Sequence, residues 1–488
     1  MNQTLGPQAH EYDVAIAGAN LGGLVAGAIL AKQGKRVIVV DAAPRVGGTA
    51  AAAPHDGYWI DGANREGSDI ADLQFGWRYG QLACEEADVE VPLRLAGPML
   101  RIHQLPGASG HADARSNIGN WGAGGFLKMA TDVFGCPPDL VRELTGLIGK
   151  WAKSTAAERE VAGPILVKEW LDENVAQAEL RGAVLTMLTV IYSEFPERAS
   201  LGRLMEFFAP RPDLPKTQPA YADHPEVGGM AGLMKPWADA IESRGGLIWL
   251  DHKPIEVTFD GNRATGLVVL GNNNIVTEIR AAATVVAFPI WQSLRLLPSA
   301  LVPEKTQTMA RQLEDEQADG VALQFGLKGI PIVRETGLPE EFDGWNRVLV
   351  GPGKFYSGGW YLPSLVSQRS APEGKHLLHL FIARWQKADE RRPFAEGRER
   401  LERVREYLAH FYNGFENQVE WSQYQLVERP ACLAWKWSGL PRHGVTLDSL
   451  SALFLAGSTI ESDAGSIDVG ADAGMRAARA VLETLNRS

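Results

Sequence analysis

The stretch from Tyr12 to Asp41 constrains this chain more than any other feature. Tyr12-Asp13-Val14-Ala15-Ile16-Ala17 is a short run whose apolar positions are small or β-branched, and it ends directly at glycine, which predicts a buried parallel strand. Gly18-Ala19-Asn20-Leu21-Gly22-Gly23 follows, then a helical pattern of small and apolar residues from Leu24 to Gln33, Gly34 as a stop, and a second strand from Arg36 to Asp41. A strand, glycine turn, helix and strand ending on an acid suit a dinucleotide. Glycine permits a tight turn and close backbone approach, the helix start offers N–H groups to a pyrophosphate, and the carboxylate accepts hydrogen bonds from a ribose diol. Gly18, Asn20, Leu21, Gly22, Gly23 and Asp41 are therefore the expected contacts of the adenine half. Asn20 replaces the middle glycine of G-x-G-x-x-G, and its amide is expected either to bond the pyrophosphate or to turn aside.

Composition narrows the function by exclusion. The 488 residues suffice for several domains, and 45 % hydrophobic with 22 % charged residues is the balance of a globular protein. Lys plus Arg number 48 against 59 Asp plus Glu, a net charge of −11, the wrong sign for a nucleic-acid partner. Cys84, Cys136 and Cys432 show no metal-ligand or disulfide spacing, so no metal is expected and a reducing, cytoplasmic setting is. Met1 to His10 lacks a basic patch followed by an apolar run. Apolar windows such as Gly182 to Tyr192 are too short to span a bilayer, which leaves only peripheral membrane contact open.

Beyond Asp41 the chain reads Ala42-Ala43-Pro44-Arg45-Val46-Gly47-Gly48-Thr49 and then Gly57-Tyr58-Trp59-Ile60-Asp61-Gly62. This resembles the flavoprotein superfamily of phytoene desaturases and flavin amine oxidases. A second block, Gly228-Gly229-Met230-Ala231-Gly232-Leu233 through Pro254-Ile255-Glu256-Val257, looks like the desaturase branch. A third, Leu453 to Gly457, Gly465-Ser466-Ile467-Asp468 and Ala473 to Arg479, resembles the final strand, loop and helix of amine oxidases. The resemblance implies FAD, bound noncovalently, with Ala42, Arg45, Gly47, Gly48, Thr49, Gly62, Ala63, Asn64, Ile255, Gly457, Ser458, Ile467 and Asp468 as further contacts. Ser458 and Ser466 depart from the pattern, standing where relatives often place an acid and an aromatic. The implied fold is α/β: a Rossmann-like FAD-binding domain (1–98, 225–292 and 426–488) with a parallel βαβ sheet, interleaved with an α+β substrate domain (99–224 and 293–425) containing a mixed sheet. Apolar spacing predicts helices over 140–152, 180–192, 235–243 and 398–411, and alternation predicts strands over 321–325 and 376–381.

In such enzymes the flavin takes a hydride, and the protein supplies position and polarity. The resemblance to amino-acid oxidases makes Arg65 the candidate grip on a substrate carboxylate or ketone, a task suited to a planar guanidinium. Trp360, Tyr361, Trp435 and Trp437 are candidate pocket walls, with core packing as the competing role. Tyr192, Glu194 and His443 are candidate proton acceptors. The expected function is desaturation of a small or medium cyclic or lipid-like acid or ketone, forming a C=C bond. The alternatives are an amine or amino-acid oxidase using O2 and releasing peroxide, and a flavin-bound interaction protein with a degenerate site. A small-molecule substrate and a homodimer complete the expected partners.

Overall fold

The structure, a computed structural model, describes residues 10–62, 77–95, 100–104, 116–118, 123–132, 135–192, 199–215, 220–315, 319–351, 354–355, 359–384, 393–427, 439–464 and 467–487. The first sheet has seven strands, and its centre is the predicted unit. β1 (His10–Ala17) runs parallel to β2 (Val37–Val40), joined by helix α1 (Leu21–Lys32). β9 (Leu247–Trp249) pairs parallel with β2, and β12 (Val276–Val286) runs parallel to β1 on its other side. β10 (His252–Asp260) and β11 (Arg263–Gly271) extend the sheet as an antiparallel meander from β12. The C-terminal end of β12 also carries β21 (Leu453–Leu455), parallel to it.

Every residue of β2 is buried, as expected of a parallel strand with both faces covered. One face is covered by α1, the helix Ala231–Ser243 and the C-terminal helix Asp468–Leu485, through Leu24, Ile29, Trp237, Ile241, Met475 and Val481. Leu313, Trp291 and Leu297 lie in the cluster on the other.

The second sheet has eight strands in the order β20–β13–β18–β17–β15–β6–β7, with β16 paired to β15. They are β6 (Leu100–Gln104), β7 (Ser116–Ile118), β13 (Asp319–Leu327), β15 (Trp345–Gly351), β16 (Lys354–Phe355), β17 (Gly359–Tyr361), β18 (His376–Arg384) and β20 (Val419–Val427). β15 and β6 are parallel and β20 through β15 antiparallel, so the sheet is mixed as expected. Leu323, Phe325, Leu378 and Leu380 pack with Val404 and Leu408 of the helix Pro393–Phe411. The alternate residue Leu377 meets Tyr58 and Ile60 of the hairpin β3 (Ala52–His55) and β4 (Tyr58–Asp61), which covers the opposite face. Period-two alternation thus gives the sheet one face toward a helix and one toward the hairpin. Helices between Ala123 and Phe208 form a separate core around Phe126 and Trp151, which also takes in Tyr361. Two short pairs, β5 (Leu93–Leu95) with β8 (Ala220–Ala222) and β14 (Ile332–Val333) with β19 (Tyr412–Asn413), complete the strands.

The predicted helices are present as Pro138–Ala152, Ala178–Tyr192, Ala231–Ser243 and Pro393–Phe411, each beginning two to five residues ahead of its expected start. Two begin on proline, whose missing N–H costs nothing in a first turn. No helix among the described residues is long and apolar enough to cross a membrane.

Candidate active site and cofactor cradle

Asp41 follows β2 and is 8 % exposed. Its Oδ2 accepts from the Ala19 N–H at 2.7 Å and its Oδ1 from the Ala43 N–H at 2.8 Å, so one carboxylate braces the glycine turn and the loop after β2. The Asp41 carbonyl accepts from His252 N at 2.9 Å, which sets the start of β10 beside this acid; Ile255 lies further along that strand and is exposed. Gly18, at φ +111°, makes the turn. Gly47 (φ +118°) is tied to it by its N–H to the Ala19 carbonyl at 2.7 Å, and Gly48 follows. Ala42 is exposed, and Arg45 and Thr49 are half-buried alongside.

Asn20 turns aside from the turn's open side. Its Oδ1 accepts from the Gly23 N–H at 3.2 Å, capping α1, and its Nδ2 donates to the Ala287 carbonyl. A Cβ on Gly48 would lie 2.7 Å from the Asn20 Cβ, so the amide side chain occupies room between the two glycine turns. Asn20→Gly is therefore expected to tighten FAD binding about threefold to tenfold while removing only a few tenths of a kcal/mol of capping. Flavin fluorescence titration checks this, and weaker binding would show the amide to be a cofactor ligand.

The first turn of the C-terminal helix abuts that of α1: a Cβ on Gly470 would sit 3.3 Å from Leu21 Cβ and 3.4 Å from Gly22 N. Two helix starts side by side, with the Leu21 and Gly22 amides in one of them, are suited to a pyrophosphate. The cradle therefore fits FAD. Gly457 lets its strand end close on Phe288, whose carbonyl oxygen would be 1.9 Å from an added Cβ; Ser458 beside it is half-buried and Ile467 buried. The Asp468 carboxylate has a different use. It accepts from the N–H groups of Arg78, Tyr79 and Gly80 at 3.1, 3.0 and 2.7 Å, capping helix α2 (Arg78–Ala87), and burial raises its pKa to about 6.

Residues 63–65, Glu194, Trp435, Trp437 and Ser466 lie outside the described residues, as does the side chain of Tyr192, which ends its helix. Tyr361 faces the hairpin side of the second sheet and donates from its hydroxyl to Asp61 Oδ2 at 3.3 Å. Trp360, one residue earlier, turns to the other face, stacks on His103 at 5.5 Å and donates to the Tyr412 hydroxyl at 3.0 Å. Strand alternation makes one of this adjacent pair a core residue. His443 is buried with both ring nitrogens engaged: its Nε2 meets Thr459 Oγ1 at 2.9 Å, its Nδ1 meets the Gly444 carbonyl at 2.7 Å, and burial lowers its pKa to about 4.

Three groups that sequence reasoning did not single out lie on this side: Asp61 and His379 meet Tyr361, and Gln324 is in register with His379. Asp61 ends β4, its Oδ1 accepting from Met230 N at 2.8 Å, and burial raises its pKa to about 6. With Tyr221, Tyr361, Ser367 and Ser370 it lines a cavity of about 20 Å3, room for one water. His379 of β18 and Gln324 of β13 are 1 % and 0 % exposed, and both nitrogens of one and both amide atoms of the other have no hydrogen-bond partner among the described residues. Leaving such an atom unpaired costs about 1–3 kcal/mol. The signal was present as a polar residue inside each apolar run, Leu323-Gln324-Phe325 and Leu378-His379-Leu380.

Asp61 has its folded pKa above its usual 3.8, so its contribution to stability is complete below about pH 3.8 and lost as pH rises through about 6. The stability of the wild type relative to Asp61→Asn is expected to fall by about 2 kcal/mol from pH 4 to 7. Urea unfolding across that range checks it; a constant difference would mean the carboxyl is ionised throughout.

Residues 16–65 match the family profile of an NAD(P)-binding Rossmann-like domain, and residues 108–482 match that of the flavin containing amine oxidoreductases. The chain belongs to the flavin-containing amine oxidoreductase family. It is an FAD-dependent oxidoreductase. An oxidoreductase from Methanosarcina mazei is similar in fold, with TM-score 0.68 and 16 % identity over 96 % of this chain and 99 % of that one. A putrescine oxidase double mutant gives 0.65 and 17 % over 98 % and 100 %. Cyclohexylamine oxidase from Brevibacterium oxydans gives 0.62 and 16 % over 98 % and 100 %. No curated protein sequence matches significantly.

Proposed function

We propose that this enzyme desaturates a C–C bond beside a ketone or carboxylate in a small or medium, cyclic or lipid-like substrate. The supporting observation is the uncharged character of the sheet face beside Asp61 and Gly62, where the backbone leads into the expected flavin contacts 62–64. Tyr361, Gln324 and a His379 held neutral by burial, its pKa lowered to about 3, make up that face. The carboxylate bonded to that face, Asp61, is committed to Met230 N and Tyr361 rather than offered to an ammonium group.

The residues proposed to hold the cofactor are Asp41 at the ribose, the α1 and C-terminal helix starts at the pyrophosphate, Gly47 and Gly48 beside it, and 62–64 toward the ring. FAD bound there supplies a hydride acceptor. Arg65 would grip the substrate carboxylate or ketone, Tyr361 would shape the wall, and Tyr192 or Glu194 would take the proton. His443, with both ring nitrogens engaged, is the weakest of the proton acceptors.

Amine oxidation, with O2 as acceptor, is the second reading. It draws on the family and on the fold likeness to putrescine oxidase and cyclohexylamine oxidase. Anaerobic titration of the flavin absorbance with cyclic ketones, keto acids, fatty acids, amines and amino acids tests both. The expected result is bleaching by a nitrogen-free acid or ketone with a product lighter by a pair of hydrogens; bleaching by amines alone overturns the desaturase reading.

A further inference from the structure

Across the second sheet, Tyr361 of β17 is in register with His379 of β18, His379 with Gln324 of β13, and Gln324 with Gln423 of β20. Residues in register share a face, so these four form a polar row. The row runs beneath the end of the β3–β4 hairpin: Tyr361 bonds Asp61, and Gln425, next on the same face of β20, donates its amide to the Gly62 carbonyl. An imidazole and an amide side by side could satisfy each other, yet their four polar atoms are left without a partner among the described residues and out of reach of water. The water-sized cavity nearby is lined by Asp61, Tyr361 and the two serines, not by this pair.

We infer that His379 and Gln324 are a binding pair for a neutral carbonyl oxygen of the substrate. The inference rests on the desaturase reading and names the group that reading requires. A neutral imidazole has one N–H donor and a glutamine amide has two, so two donors from adjacent strands can converge on one oxygen. Neither side chain carries a charge to match an ammonium. Donation to the oxygen also stabilises negative charge developing there when a neighbouring C–H is lost as a proton. The pair lies beside Tyr361, whose ring centroid is 5.6 Å from that of His379.

The test uses the FAD-loaded full chain and two probes of matched shape, cyclohex-2-en-1-one and methylenecyclohexane, titrated by flavin absorbance perturbation. The ketone is expected to bind about tenfold more tightly. His379→Leu and Gln324→Leu should each abolish that preference, and His379→Asn, which keeps a donor, should retain it. Both leucine variants, without ligand, should melt about 2 °C or more above the wild type, because unpaired polar atoms are removed. No ketone preference in the wild type, an unchanged preference in both leucine variants, or lower melting temperatures for both would each overturn the assignment. If amines alone bleach the flavin while the ketone preference persists and depends on the pair, the desaturase reading falls and the carbonyl site stands.

Discussion

Gly23→Ala should yield protein with little or no bound flavin. An added Cβ would lie 1.9 Å from the Gly18 carbonyl oxygen and 3.2 Å from Ala287 Cβ. The nearer atom is backbone, so no side-chain rotation relieves the clash; the turn must open, carrying with it the Asn20 cap on Gly23 N and the start of α1. The cost is about 3 kcal/mol or more. Gly149→Ala is the control, lying within the helix Pro138–Ala152 with nothing inside 4 Å of its added Cβ, and a gain of about 0.5–1 kcal/mol is expected there. Flavin-to-protein absorbance ratio and melting temperature separate the two. Full flavin content in Gly23→Ala would mean that the turn does not need close approach of these two segments.

Asp468→Ala should be comparably damaging for a different reason. The three N–H groups of Arg78, Tyr79 and Gly80 lose their acceptor, and α2 has no side-chain cap of its own from Trp77. Loss of a cap and of buried partners together costs about 3–5 kcal/mol. Asp468 also stands in the first turn of the C-terminal helix, so the same carboxylate couples α2 to the helix expected at the cofactor. Asp468→Asn keeps an acceptor and should lose about half as much. Unfolding midpoints of the FAD-loaded variants measure this, and an alanine variant within 1 kcal/mol of wild type, on the scale of a surface change, would refute the cap.

The local logic of the cofactor cradle was legible in sequence. The β1–α1–β2 unit, its glycines and Asp41 depend on backbone conformation and short-range patterning, which neighbouring residues settle among themselves. The four expected helix positions followed from apolar spacing for the same reason, with only their first residues missed. The mixed character of the second sheet was likewise implied by family resemblance.

What only the tertiary structure decided are the partners of polar groups. The sequence makes Asp468 an expected cofactor contact, and only the structure shows that its carboxylate caps a helix nearly the whole chain away. Sequence does not distinguish Trp360 from Tyr361 as a pocket wall; strand register sends one to the helix side and the other to Asp61. His379 and Gln324 stand in separate strands, and nothing in either run announces the other; antiparallel pairing makes them neighbours. A sequence fixes backbone geometry through contacts a few residues apart, whereas burial, and with it the hydrogen-bonding and protonation state of a polar side chain, is set by whichever distant segments close over it.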